Sequence, residues 1–171
     1  MRYYFDLLDT IISNDEKVLI FTQFVEMGNI LKEVIKNELF TTPLFLEGSQ
    51  NQNQRKKILN QFQNDPKSKV FILSLKAGGT GLNLTQANNV IMYDLWFNPA
   101  VENQAIDRAF RIGQEKNVNV YRFITKNSFE EKINKMINAK KELTELTVSR
   151  GENWLNDLSD DELKNIFSRE N

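Results

Sequence analysis

Two arginines, Arg108 and Arg111, lie three residues apart within the segment 104–114. At about 100° per residue, an α-helix through this segment would place both guanidinium groups on one polar half, together with Gln104 and Asp107. Two guanidinium groups one turn apart can both reach a polyphosphate, each through a planar fork of N–H donors. The alternative is a solvated polar face with an Asp107–Arg111 ion pair, and on these residues alone it is the commoner arrangement.

A glycine-rich segment, 74–83, follows a predicted strand and contains Gly78, Gly79 and Gly81. Glycines at this density let backbone N–H groups approach an anion closely. The segment is not a Walker A loop, because the pattern G-x-x-x-x-G-K-[ST] occurs nowhere in the chain. It is not a dinucleotide fingerprint either, since Leu84 stands where the last glycine is required. A tight turn without a ligand explains the glycines equally well.

Two more polar segments follow predicted strands. Gly48 and Ser49 precede a helix that carries the basic residues 55–57, and a hydroxyl with free N–H groups at a helix start suits a phosphate. An ordinary N-cap is the alternative there. In the segment 94–99, Trp96 and Phe97 fit either the core or a stacking surface.

The composition narrows the chemistry. The chain has no cysteine and no histidine, which excludes disulfides, thiolate nucleophiles, zinc–sulfur sites and imidazole bases. Carboxylates, Lys, Arg, hydroxyls and backbone dipoles remain, and these groups suit phosphoryl transfer. Residues 1–150 carry a net charge of +3 and residues 151–171 a net charge of −4, so a mildly basic body precedes an acidic tail. This balance gives weak support for an anionic ligand on the body.

The sequence contains no signal for export or for insertion into a membrane. The first residues lack the apolar stretch and small-residue cleavage site of a signal peptide. The strongest apolar run, 89–97, is interrupted by Asp94 and is far shorter than the roughly 20 residues of a membrane span. We therefore expect a cytoplasmic location.

Apolar patterning predicts helices and strands in alternation. The predicted strands are 18–21, 44–46, 70–73, 90–93 and 118–124. Capping boxes of Ser128 with Glu131 and of Ser159 with Glu162 predict a long helix through about Ala139 and a last short helix. The alternation indicates an α/β fold with a mainly parallel sheet covered on both faces, whose ligands bind at the carboxyl ends of the strands.

Five segments resemble, in order and spacing, helicase motifs four to six of the Swi/Snf family: 17–24, 46–49, 74–83, 94–99 and 104–114. This family comprises double-stranded-DNA translocases and chromatin remodellers of helicase superfamily two. The tail segments 151–155 and 158–163 resemble the ending of bacterial members. The resemblance implies a C-terminal RecA-like lobe, a three-layer domain with a helical extension. We expect the lobe at 1–127, a long helix packing on it at 128–150, and an acidic helical tail at 151–171.

The resemblance also implies a role for each matching residue. Arg108 and Arg111 match arginines that reach the γ-phosphate of ATP on a first lobe, and Gln104 joins them as a catalytic candidate. The remaining matches fall into three groups: ATP-binding Gly79, Gly81, Asn83 and Asp107; DNA-backbone-binding Gly48, Ser49, Ser74 and Lys76; and Trp96 and Asn98, which match the segment linking the two sites. Phe110 departs from the family, which usually has His or Tyr there.

By this resemblance the whole protein is a DNA-stimulated ATPase acting near the nucleoid, with an N-terminal RecA-like lobe and double-stranded DNA as partners and no membrane. ATP and Mg²⁺ would be bound mainly by the first lobe, and no metal ligand is expected in this chain. Because the sequence has neither a Walker A lysine nor an Asp-Glu pair after a strand, we expect the isolated chain to be inactive.

Two alternatives remain: the second lobe of an RNA helicase, or a non-catalytic nucleotide-binding or scaffolding domain. The run 77–83 and the segment 111–114 favour the DNA translocase.

Overall fold

The computed structural model describes residues 2–74, 82–94, 96, 99–111 and 113–144. Five parallel strands form one sheet in the order β2-β3-β1-β4-β5. The strands are β1 Val18–Thr22, β2 Leu44–Leu46, β3 Val70–Ser74, β4 Asn89–Met92 and β5 Asn119–Arg122. The helices are α1 Arg2–Ser13, α2 Val25–Leu39, α3 Gln52–Asn64, α4 Pro99–Ile106 and α5 Phe129–Thr144. The predicted parallel α/β architecture is confirmed, and each predicted strand is present with ends shifted by at most two residues.

The three central strands are buried along their whole length, as continuous apolar runs require in a sheet covered on both faces. β1 lies in the middle, with Val18 paired to Val70 of β3 and to Asn89 of β4. Helices α1 and α2 contribute Leu8, Leu31 and Ile35 to the apolar core that includes Ile20 and Ile72. This rigid sheet fixes the strand ends from which the polar loops leave.

Close packing of α2 on β2 depends on a glycine. A Cβ added to Gly28 would lie 2.5 Å from Cζ of the Phe45 ring. A hydrogen atom at this position lets the helix backbone approach the ring, so the glycine serves packing rather than a turn.

The described residues divide into two compact units. Of the described residues, the first unit contains the whole sheet, with 2–74, 82–94 and 103–123 except 112, and the second contains 96, 99–102 and 124–144. In the second unit, α5 begins directly after Ser128, and the N–H of Glu131 donates to Ser128 Oγ at 3.4 Å, which is one half of the predicted capping box. The Glu131 carboxylate accepts from the N–H of Asn127 at 2.7 Å, one residue before the predicted partner. The domain boundaries 127 and 150 remain predictions, and the tail 151–171, with its second capping box, lies outside the described residues.

Helix α3 is anchored at its carboxyl end by Lys17. The ammonium of Lys17 donates to the carbonyl oxygens of Phe62 and, at 3.0 Å, of Asp65, and it lies 4.9 Å from the centre of the Phe62 ring. A cation at this end of a helix offsets the partial negative charge of its last carbonyls. Burial is the main cause that lowers the pKa of Lys17. The contact holds the helix that carries the basic residues 55–57.

None of the helices that the structure describes combines the length and the apolar character needed to cross a lipid bilayer.

A polar network closes the amino end of the sheet. Glu16 accepts hydrogen bonds from Asn88 Nδ2 at 2.7 Å and from Asn89 Nδ2 at 2.8 Å, and Asn119 Nδ2 donates to Asn89 Oδ1 at 3.3 Å. Asn88 and Asn89 are buried, so their amide groups depend on these partners. The network joins the starts of β1, β4 and β5.

Glu16 makes the stability of the fold dependent on pH. The hydrogen bonds from Asn89 and Asn88 lower the pKa of the Glu16 carboxyl below its ordinary value of 4.5. Because the folded-state pKa is the lower one, this contribution is complete above about pH 4.5 and is lost as the pH falls through the folded-state pKa. We expect Glu16→Gln to reduce the free energy of unfolding near pH 7 and to flatten its decline between pH 5 and pH 3, as measured by urea unfolding. Parallel curves for the two proteins would contradict this assignment.

Candidate functional site

The segment with the two arginines is not the continuous helix that its spacing predicts. Helix α4 ends at Ile106, and the next residues form turns with two kinds of bond. The N–H of Arg108 donates to Ala105 O at 3.2 Å and that of Ala109 to Ile106 O at 2.9 Å, three residues back, while the N–H of Phe110 donates to Ile106 O at 3.2 Å, four residues back. Bonds to the third residue back rotate the chain by more per residue than an α-helix does. This extra rotation changes which side chains face inward.

As a result, Arg108 is buried, with 6% of its surface exposed, whereas Phe110 is 54% exposed. The predicted helical face shared by the two arginines is therefore wrong. Arg111, Gln104 and Asp107 are exposed, as predicted.

We call residues 105–111 the arginine turn and residues 82–87 the exit segment, because the latter leaves the glycine-rich run. The two are bonded through the main chain, with the N–H of Leu84 donating to Arg108 O at 3.1 Å. Asn83, in the same exit segment, is exposed, and its carbonyl accepts a hydrogen bond from Gln63 Nε2 at 3.2 Å. The structure thus brings Asn83 and the arginines into neighbouring segments, as their predicted common site requires.

The arginine turn is positively charged and partly dehydrated. Burial lowers the pKa of Arg108, and the charge of Arg111 lowers it further. The Arg108 guanidinium nevertheless stays charged at neutral pH, because arginine side chains are effectively never deprotonated in proteins. Two like charges close enough to affect each other are stabilised by an anion placed near them. The negative charges of a polyphosphate would stabilise the two guanidinium groups in this way.

A second polar cluster lies at the carboxyl end of the sheet. Asp94 Oδ2 accepts hydrogen bonds from Thr22 Oγ1 at 2.5 Å and from the N–H of Gln23 at 2.8 Å. Thr22 is paired with Ser74 across β1 and β3. Ser74 is 1% exposed, and among the described residues its hydroxyl has no hydrogen-bond partner. The carboxylate of Asp94 therefore joins the segment after β4 to the carboxyl end of β1, next to the end of β3.

The turn after β2 presents Gly48 and Ser49 to solvent. Asn51, rather than Ser49, is the N-cap of α3: its side chain accepts from the N–H of Gln54 at 3.0 Å, and Gln54 Oε1 accepts from the N–H of Asn51 at 3.0 Å. Because Asn51 caps the helix, the hydroxyl of Ser49 is not needed for that role. The exposed Lys56 and Lys57 follow in the first turns of the same helix.

Of the remaining predicted site residues, the structure describes only Trp96. Gly79, Gly81, Lys76 and Asn98 lie outside the described residues. Trp96 is buried, with 3% of its surface exposed, which agrees with a core position better than with an open stacking surface. Within the described ranges, no three His, Cys, Asp or Glu side chains are grouped so that they could hold a metal ion.

Sequence reasoning assigned no role to Thr22, Asp94 or Gln114, which the structure shows to be hydrogen-bonded at these two clusters. For Thr22 and Asp94 the available signal was a polar residue at the end of a buried strand. For Gln114 it was the preceding Gly113, whose φ of 104° belongs to the left-handed region that favours glycine.

Residues 3–113 match the family model of the helicase conserved C-terminal domain. The chain is 46% identical over 163 residues to YwqA of Bacillus subtilis, covering 95% of this chain and 18% of YwqA. It is 48% identical over 131 residues to the ATP-dependent helicase FUN30 of Saccharomyces cerevisiae, covering 76% of this chain and 12% of that protein.

Among solved structures, the SWI2/SNF2 ATPase core of Sulfolobus solfataricus in complex with dsDNA is similar, with a TM-score of 0.80 and 39% identity. That match covers 99% of this chain and 35% of the Sulfolobus chain, so our chain spans a minor part of each of these relatives. The fold is therefore the RecA-like one of such C-terminal lobes. The chain belongs to the helicase conserved C-terminal domain family, and its relatives are ATP-dependent helicases of the Swi2/Snf2 type.

Proposed function

We propose that this chain is the second, C-terminal motor lobe of an ATP-dependent double-stranded-DNA translocase or remodeller of the Swi/Snf type. The first lobe would be an N-terminal RecA-like domain of the same parent protein, and ATP would lie between the two. The observation that carries the proposal is the main-chain bond from Leu84 to Arg108, which holds the backbone of Arg108, three residues before Arg111, against the exit segment. The sequence match over residues 3–113 supports it independently.

In this proposal the arginine turn completes the nucleotide pocket. ATP, when bound, supplies the phosphoryl group that is transferred to water, and the first lobe holds most of the ATP and the Mg²⁺. Arg111 is exposed and is therefore the arginine that can contact the γ-phosphate directly. Arg108 is buried and adds a second positive charge, close enough to Arg111 for the charge of Arg111 to lower its pKa. Preorganised charge of this kind offsets the negative charge that develops in the transition state.

The remaining nucleotide-site residues have supporting roles in the proposal. Gln104 and Asp107 are exposed beside the arginines and would hold that face in register with the first lobe. Asn83, with Gly79 and Gly81, would approach the sugar and phosphates of the nucleotide. Trp96 and Asn98 would link the nucleotide pocket to the DNA track.

The DNA contacts proposed for this lobe begin at the turn after β2. Gly48 and Ser49 are exposed there and offer N–H and hydroxyl groups, which bind phosphates without reading sequence. Lys76 would add a positive charge. Ser74 is too deeply buried to contact a phosphate directly in this structure, so we assign it to the support of the loop that carries Lys76. The dsDNA complex of the Sulfolobus relative supports DNA as the polymer.

Duplex DNA and RNA distinguish this function from that of an RNA helicase lobe. We expect the ATPase activity of the intact parent protein to rise strongly with duplex DNA and little with RNA of the same length. Steady-state ATP hydrolysis with each polymer measures this. Stronger stimulation by RNA would instead support an RNA helicase, and no response to either polymer would support a non-catalytic domain.

The basic start of α3 offers a more local prediction. If Lys56 and Lys57 extend the phosphate contacts of Ser49, the double variant Lys56→Ala/Lys57→Ala weakens duplex binding and lowers the steepness of its salt dependence by about 0.9 for each lost contact. The variant Lys32→Ala/Lys36→Ala on α2 removes the same charge and is the matched control. Fluorescence anisotropy between 50 and 200 mM salt gives both slopes. Equal slopes for the two double variants would show that Lys56 and Lys57 of α3 do not contact DNA phosphates.

A further inference from the structure

The side chain of Gln114 joins two segments that are far apart in the sequence. Its Nε2 lies 3.0 Å from Thr85 O, 2.8 Å from Ala87 O and 3.3 Å from Ala109 O. The first two carbonyls belong to the exit segment and the third to the arginine turn. One amide group therefore spans both parts of the proposed nucleotide site.

The orientation of this amide is determined by its surroundings. Gln114 Oε1 accepts the N–H of Lys116 at 3.0 Å, while three carbonyl oxygens surround Nε2. Exchanging the nitrogen and the oxygen would set an acceptor against three acceptors and a donor against a donor. Only a side chain with an amide donor at this length satisfies the arrangement.

The main chain of Gln114 also contacts the arginine turn. Its N–H donates to Arg111 O at 2.9 Å. Arg111 is exposed, so its position depends on how firmly its backbone is held. The Leu84–Arg108 bond holds the middle of the turn, and Gln114 holds its end.

We propose that Gln114 is a positioning residue, which fixes the arginine turn against the exit segment and thereby sets the placement of Arg111. The inference rests on the proposed function and adds to it a residue that does not itself contact the nucleotide. The inference requires that loss of the Gln114 amide displaces the arginine turn while the sheet stays intact.

The kinetic test uses Gln114→Leu in the intact parent protein with saturating duplex DNA. We expect kcat for ATP hydrolysis to fall by about tenfold or more while KM for ATP changes by less than about twofold, because misplacement of a charge used in the transition state reduces kcat selectively. Gln63→Leu is the matched control: it removes a single exposed bond to the exit segment, at Asn83 O, and we expect near wild-type kinetics.

A second measurement tests the contact between Gln114 and the exit segment in the absence of nucleotide. Hydrogen exchange measured by mass spectrometry on the same intact protein is expected to show faster exchange in peptides covering 82–88 for Gln114→Leu. Peptides covering β3 should keep wild-type protection. If Gln114→Leu does not fold, Gln114→Asn keeps the amide and shortens its reach by one methylene, and the same two measurements apply to it.

The outcomes separate the inference from the proposed function. Wild-type kcat in both Gln114 variants, with an inactive Arg111→Ala, would overturn the role of Gln114 and leave the proposed function standing. Wild-type exchange at 82–88 would also overturn it. An active Arg111→Ala would overturn the proposed function and this inference together.

Discussion

Arg111→Ala in the intact protein is expected to lower the rate of ATP hydrolysis by about 10³-fold or more, the magnitude associated with loss of an arginine finger. Arg111 is the exposed member of the pair, and the neighbouring Arg108 is buried. Removing Arg111 therefore removes the charge that can reach the γ-phosphate. Single-turnover and steady-state ATPase assays with duplex DNA measure the loss.

The affinity for duplex DNA should stay close to wild type in the same variant, since the proposed phosphate contacts lie on the turn after β2. Arg111→Lys is also expected to be strongly impaired, because an ammonium lacks the planar fork of donors. Arg122→Ala, which removes another exposed arginine of the same unit, is the matched control and should retain its rate. A wild-type rate in Arg111→Ala would remove the arginine-finger assignment.

The isolated chain is expected to show no measurable ATP turnover, with or without duplex DNA. Its sequence contains no Walker A pattern that could grip the β- and γ-phosphates. A pair of guanidinium groups supplies charge but neither activates water nor holds Mg²⁺. We expect weak ATP binding as well, and equilibrium dialysis with labelled ATP measures it beside the hydrolysis assay.

The intact parent protein in the same buffer, with the same duplex, is the control for activity. Circular dichroism of the isolated chain verifies that it is folded when assayed. Turnover by the folded isolated chain at a rate typical of intact translocases would show that a complete active site lies within these 171 residues. Our assignment of half a site would then be wrong.

The sequence predicted the sheet well because its strands carry a strong signal. Runs such as 70–73 are apolar throughout, which is typical of strands buried on both faces of a parallel sheet. The glycine-rich loop and the two arginines were found by residue type alone. These features depend on local composition, which a sequence displays directly.

The arginine turn was predicted incorrectly because its geometry depends on contacts between distant segments. A helical period fits residues 104–114, yet the helix ends at Ile106. The bonds of the exit segment to Arg108 O and to the Gln114 amide stabilise a tighter turn than the local pattern favours. Such bonds join residues more than twenty positions apart, and no local period records them.

A structure of the intact protein with duplex DNA, Mg²⁺, ADP and beryllium fluoride tests the central claim most directly. The measurement is the distance from the Arg111 guanidinium nitrogens to the fluorides that replace the γ-phosphate oxygens. Our account predicts a contact of about 3 Å, within hydrogen-bonding range. An Arg111 guanidinium turned away into an ion pair within its own lobe, with the fluorides contacted by other groups, would contradict it.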